Sequence, residues 1–188
     1  LADLALTAPP PREDLLRQLR PRLAQVAPGL RIIAEGLLGA DASIDFVGVE
    51  PDGRVVLVLV GGADQDLELV ARALAQRAWV ERRLRDWLQL APELGLRPEA
   101  GVRLLLLSPD FRPEAESAAR ALGPDAPTLA VYRCVRNGAG VDALLEPLRA
   151  PAPHAAATRA RPAGLQPFRT GLTDADLGLT PEEHLEFE

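Results

Sequence analysis

The chain has 188 residues, enough for one domain with a sizeable core. All 21 of its cations are arginine, which excludes every mechanism that needs a lysine amine, Schiff bases and Walker-type phosphate loops among them. The net charge of −6 sits in residues 174–188, which hold six acids and no arginine and leave 21 acids against 21 arginines before them; so neutral a body lacks the basic face that usually marks nucleic-acid binding.

The opening LADLALTAPPPRED lacks the basic head and long apolar middle of a signal peptide. No apolar run approaches the ~20 residues of a membrane-spanning helix, so a cytoplasmic protein with no membrane partner is expected. Residues 12–27 space Leu15, Leu16, Leu19, Leu23 and Val26 at helical intervals, with Glu13 and Asp14 in the first turn where the helix dipole favours acids. Pro21 predicts a kink, or a break into two short helices. The β-branched run in LRIIAEGLLG (30–39) and the alternation in SIDFVGVE (43–50) predict strands. Pro51-Asp52-Gly53 then closes a hairpin into RVVLVLV (54–60), whose unbroken apolar run suits a central strand covered on both faces.

The stretch 66–91 reads as one long helix with Leu69, Ala73, Val80, Leu84 and Trp87 on its core side. VRLLLLS (102–108) is a buried strand, 111–123 a helix with Pro113 near its start and Gly123 past its end, and TLAVYRCV (128–135) a further strand. Cys134 is the only cysteine; it excludes an internal disulfide, fits a reducing compartment and is explained by core packing. Residues 141–149 suit a short helix. Residues 150–171, rich in Ala and Pro, predict an extended arm, and Thr180-Pro181-Glu182-Glu183 a capped terminal helix. The domain plan is therefore an α/β body over 1–149 and an arm with an acidic tail over 150–188. His154 and His184 have no Cys, His or Asp at ligand spacing, and Ser108-Pro109-Asp110 at a strand end is explained by turn chemistry as well as by a ligand site.

The element order over 12–135, with Ile44-Asp45 and Asp52-Gly53-Arg54 in GLRIIAEGLLGADASIDFVGVEPDGRVVLVLV, resembles the restriction-endonuclease-like, or PD-(D/E)XK, nuclease superfamily, especially its small bacterial members and DUF91-type nucleases. The resemblance implies a three-layer core with a central mixed sheet flanked by helices, here extended by a C-terminal arm. It also implies a Mg²⁺ site, in which a first-strand aspartate and a second-strand Glu-x-Lys converge. Asp45 matches the metal aspartate and Glu35 the acid often found upstream, whereas Leu59 stands at the Glu position and Gly61 at the Lys position. On the long helix, Arg72 and Gln76 stand where many members carry Gln-x-x-x-Tyr.

These departures imply a catalytically degenerate member, with Glu35 and Asp45 as vestiges, no bound cofactor, and a role as a binding or assembly module, homo-oligomeric or with a protein partner. The alternative is a metal-dependent nuclease or DNA-binding relative whose Mg²⁺ is held by Glu35, Asp45 and Asp64, with Asp66 and Glu68 nearby. A third reading has the acidic tail occupy a groove of the body in place of nucleic acid. Arg77 falls inside the apolar stripe of the long helix, and a buried arginine is expensive unless paired. It is a candidate to neutralise Asp45; the other reading is that it snorkels to the sheet edge. Trp79 lies toward the polar side, as a partner surface or as ordinary semi-exposed packing.

Overall fold

The computed structural model of the protein describes residues 5–137 and 140–148. The arm at 150–171, His154, His184 and the capping box at 180–183 lie outside the described residues. In chain order the elements are β1 (Ala5–Thr7), α1 (Arg12–Leu19), β2 (Arg31–Leu38), β3 (Ser43–Val49), β4 (Val55–Val60), α2 (Asp66–Glu81), α3 (Leu84–Leu90), β5 (Val102–Ser108), α4 (Pro113–Arg120), β6 (Thr128–Asn137) and β7 (Gly140–Pro147).

One mixed sheet organises them. β2, β3 and β4 form an antiparallel meander, β5 joins β4 in parallel, β6 joins β5 in parallel, and β1 and β7 pair antiparallel with β6. The apolar run of β4 explains the layering. Val55, Leu57 and Leu59 pack with Leu69, Val70, Ala73 and Val80 of α2 and with Ala115 and Ala119 of α4, while Val56, Val58 and Val60 pack with Leu15 and Leu19 of α1. Because successive strand residues point to opposite faces, a strand covered on both sides must be apolar throughout. Each such burial contributes about 1.5–3 kcal/mol, so β4 has no position at which a charge is tolerated cheaply.

The hairpin closes as expected: Gly53 takes φ +87°, its N–H donates to Glu50 O, and Asp52 Oδ1 accepts from Arg54 N. Pro21 ends α1 early, and the chain continues as a 3₁₀ turn over Arg20–Gln25. Two expectations fail. The helix expected over 141–149 is not found in its described part: Gly140–Pro147 is a strand, burying Ala143 and Leu145 and leaving Leu144 partly exposed. The long helix of 66–91 is also two helices. Arg82 Nε donates to Ala78 O and Arg83 Nη1 to Trp79 O, so two arginine side chains take carbonyls of the last turn of α2 and the chain turns at 82–83 into α3.

Candidate functional site

The β3–β4 ladder runs from Val49↔Val55 to Phe46↔Val58 and stops there. Beyond that point Val60 N–H donates to Asp45 Oδ2 at 2.7 Å, so a carboxylate takes the bond that a continuing partner strand would have supplied. The other carboxylate oxygen, Oδ1, accepts from Arg12 Nη2 at 2.6 Å. The same Nη2 reaches Val60 O at 3.1 Å, and Arg72 Nη2 reaches that carbonyl at 3.5 Å. Next along β4, Gly61 N–H donates to Leu107 O and the Tyr132 hydroxyl donates to Gly61 O at 2.9 Å. Burial, followed by the neighbouring Cys134, pushes the Tyr132 hydroxyl up to about 12, against a smaller opposing pull from the Arg12 charge. Tyr132 therefore acts here as a fixed donor.

Each layer of the fold delivers one of these groups. Arg12 opens α1 directly after Pro9-Pro10-Pro11, and the spacing 12, 15, 19 puts it on the face that Leu15 and Leu19 bury, so packing that face carries the guanidinium to the sheet. Arg72 comes from α2, in the opposite layer, three residues after buried Leu69. Asp45 is only 3% exposed, whereas the Arg12 side chain is 53% exposed, so the acid is sealed behind its partner.

This corrects the pairing of Asp45 with Arg77. Arg77 Nη1 donates to Asp125 O at 3.0 Å, and its Nε lies 3.9 Å from Glu81; the guanidinium that neutralises Asp45 is that of Arg12. Sequence reasoning passed over Arg12, although an arginine at helical spacing with two core leucines is the same kind of signal that drew attention to Arg77. Glu35 is half-exposed and held by Arg20 Nε at 2.6 Å. Asp64 and Glu68 are exposed, Asp64 in a turn with φ +61°. Asp66 is 2% exposed and accepts from Arg112 N at 2.7 Å, Nε at 3.0 Å and Nη2 at 2.6 Å, which pins the start of α2 to the start of α4. These bonds lower its pKa to about 2, side-chain bonding by Arg112 being the largest cause.

The acids therefore do not fit Mg²⁺, which wants several converging oxygens. Both oxygens of Asp45 are engaged, and no group of three or more His, Cys, Asp and Glu side chains among the described residues is placed to hold a metal ion. Leu59 is buried in the α2-side core. A Cβ added at Gly61 would lie 2.9 Å from Leu69 Cδ2, so a side chain there displaces core. Gln76, buried at the middle of α2, accepts from Ala40 N at 3.0 Å and donates to Ala42 O at 3.1 Å; it clamps the β2–β3 turn. Ser108 is the buried last residue of β5, with its hydroxyl 3.5 Å from Gly62 O. Trp79 meets Trp87 edge to face at 6.4 Å and carries the Arg83 guanidinium 4.0 Å from its ring, so its semi-exposed packing is accounted for within the α2–α3 corner.

No family model matches the chain, and no curated protein matches it. Among solved structures it is similar to a repair endonuclease from Pyrococcus abyssi, with 15% identity over 69% of this chain and 48% of that one and a TM-score of 0.41. It is also similar to EndoMS in complex with double-stranded DNA, with 14% identity over 63% of this chain and 44% of that one and a TM-score of 0.37. A third is Pyrococcus furiosus SfsA in complex with Ca²⁺, with 14% identity over 69% of this chain and 62% of that one and a TM-score of 0.32. The chain thus spans less than two thirds of the length of each of these proteins.

Proposed function

We propose that this chain is a nuclease-fold protein of the restriction-endonuclease-like kind whose hairpin site does not run metal-dependent cleavage and serves a binding or assembly role, as a homo-oligomer or with a protein partner. One observation carries the reading. Asp45, at the position of the metal aspartate, has one oxygen on Arg12 and the other on the Val60 N–H. A cation arriving there meets a guanidinium already in place, and it finds no second or third carboxylate among the neighbours on β4. The element order supports the fold assignment: a helix, an antiparallel meander, a helix and a parallel strand follow one another as in the resemblance drawn from the sequence.

The test is a cleavage assay of the full chain on plasmid and single-stranded DNA with Mg²⁺ or Mn²⁺, beside calorimetric titration of each ion. The expected result is intact DNA and no micromolar metal site. Nicking that disappears in Asp45→Ala would overturn the reading. Sedimentation velocity addresses the assembly role, with a stable oligomer or a defined complex as the expected outcome.

A further inference from the structure

We propose that the open end of the β3–β4 hairpin is a metal-free binding site for a single phosphate group, gripped by Arg12 and Arg72. The proposal rests on the reading of this site as non-catalytic and names the ligand that such a site takes. Two guanidinium groups from opposite layers converge on one backbone oxygen, Val60 O, at 3.1 and 3.5 Å. A carbonyl oxygen has two lone pairs, so this neutral acceptor is used up by the two donors and compensates neither charge fully. Asp45 is the only carboxylate paired with either arginine among the described residues, and it pairs with Arg12. Arg72 has no acidic partner among them, and its Nε is buried without a hydrogen bond. Packing against α2 therefore holds an uncompensated cation next to a second one, an arrangement that repels itself until an anion arrives.

The donor count points the same way. A guanidinium carries five N–H donors in a planar fork, and the bonds that Arg12 makes here all leave from Nη2, so a half-exposed side chain keeps donors to spare for a ligand. Two such forks match the tetrahedral oxygens of one phosphate through paired charge-assisted bonds. A single group fits better than an extended backbone, because residues 1–148 carry 17 arginines against 21 acids and offer no basic track for a run of phosphates. Asp45, sealed behind Arg12, fixes the orientation of the fork and does not face the ligand.

The experiment is calorimetric titration of inorganic phosphate into the full chain at low salt, for the wild type, Arg72→Gln and Arg77→Gln. Arg72→Gln gives up only the 3.5 Å bond to Val60 O and no ion pair among the described residues, so it should stay folded with a near-wild-type thermal melt, and Arg77 lies on the same helix with its side chain on Asp125 O. Saturable binding is expected in the wild type, unchanged in Arg77→Gln and weakened at least ten-fold in Arg72→Gln. No saturable binding in the wild type, or equal binding in Arg72→Gln, would overturn the site. A 5′-phosphorylated oligonucleotide and its unphosphorylated twin then locate the source. Competition by the first alone assigns the phosphate to a nucleic-acid end, and competition by neither assigns it to a free phosphate. Metal-dependent cleavage of either oligonucleotide would sink the non-catalytic reading by itself, whereas absent phosphate binding without cleavage would sink only the phosphate site.

Discussion

Two buried aspartates do opposite things in this molecule. Asp66, at the start of α2, and Asp45, in β3, are both nearly inaccessible, and each accepts one backbone N–H and one arginine. Asp66 meets Arg112 through Nε and Nη2 at once, so that charge is answered by a fork aimed at it alone. Asp45 meets Arg12 through a single nitrogen that it shares with Val60 O, and a second arginine stands at the same carbonyl. At the α2–α4 junction the charges close on themselves. At the hairpin end they do not. Burial alone therefore does not distinguish the two acids; what separates them is whether their surroundings are electrically finished.

The largest effect should come from opening the hairpin pair. Arg12→Leu leaves Asp45 buried with only a backbone N–H, and breaking a buried pair from one side costs roughly 3–5 kcal/mol. Arg12 is half exposed, which lets water repair part of the loss, so a fall of about 2–4 kcal/mol is expected in urea melts. Arg12→Leu with Asp45→Asn removes the buried charge but keeps an acceptor for Val60 N–H, and should recover much of it. Additive losses in that double mutant would mean that the two side chains do not depend on each other.

Next comes the finished pair. Asp66→Asn removes charge-assisted bonds to Arg112 and should cost about 1–3 kcal/mol. The acid limb of the stability curve sharpens the contrast. The folded pKa of Asp66, about 2, lies below the ~3.9 of an unperturbed aspartate, so the unfolded chain takes up this proton first as pH falls. Its contribution is therefore complete above about pH 5 and lost progressively down to about pH 2. Urea midpoints measured across that window should flatten in Asp66→Asn relative to wild type. An unchanged slope would remove Asp66 from the account of acid sensitivity.

Much of the fold was legible because it is written in local pattern. The apolar run of β4 announced a strand covered on both faces, and Pro51-Asp52-Gly53 announced its turn. The failures have local causes too. In β7 the alternation of Val141, Ala143 and Leu145 is masked by Leu144, which sits in the middle of an Ala-Leu-Leu run that also suits a helix. The break after α2 depends on arginine side chains folding back onto Ala78 O and Trp79 O, a tertiary choice that periodicity does not contain. For the site, the sequence pointed to Asp45 and to the bareness of Leu59 and Gly61, but not to Arg12. The pair joins residues 33 apart, and only the packing of α1 on the sheet decides that this arginine, and not Arg77, arrives.

A smaller effect tests the turn beside the hairpin. Gln76→Ala frees Ala40 N and takes one of two donors from Ala42 O, which keeps its bond from Gly39 N, so a loss of about 1–2 kcal/mol is expected at this part-buried turn. Gly39→Ala should cost a similar amount by a different route, since an added Cβ would stand 1.7 Å from Gln76 Oε1 and must expel the amide. Because both changes destroy the same clamp, the double mutant should be far milder than the sum. Simple addition would show that Gly39 and Gln76 act separately.

The smallest expected effect is a coupling of zero. Arg77→Leu removes a bond to Asp125 O and a 3.9 Å contact with Glu81, both at a part-exposed position, and such contacts are worth about 0–1 kcal/mol. If Arg12 is the group that balances Asp45, the loss in Arg77→Leu should add to that of Asp45→Asn within about 0.5 kcal/mol, as it does for residues with no shared partner. Strong coupling between Arg77 and Asp45 would mean that in solution α2 presents a different face to the hairpin. Arg72, five residues before Arg77 on that helix, would then leave Val60 O as well, so this null result bears directly on whether the two arginines meet at all.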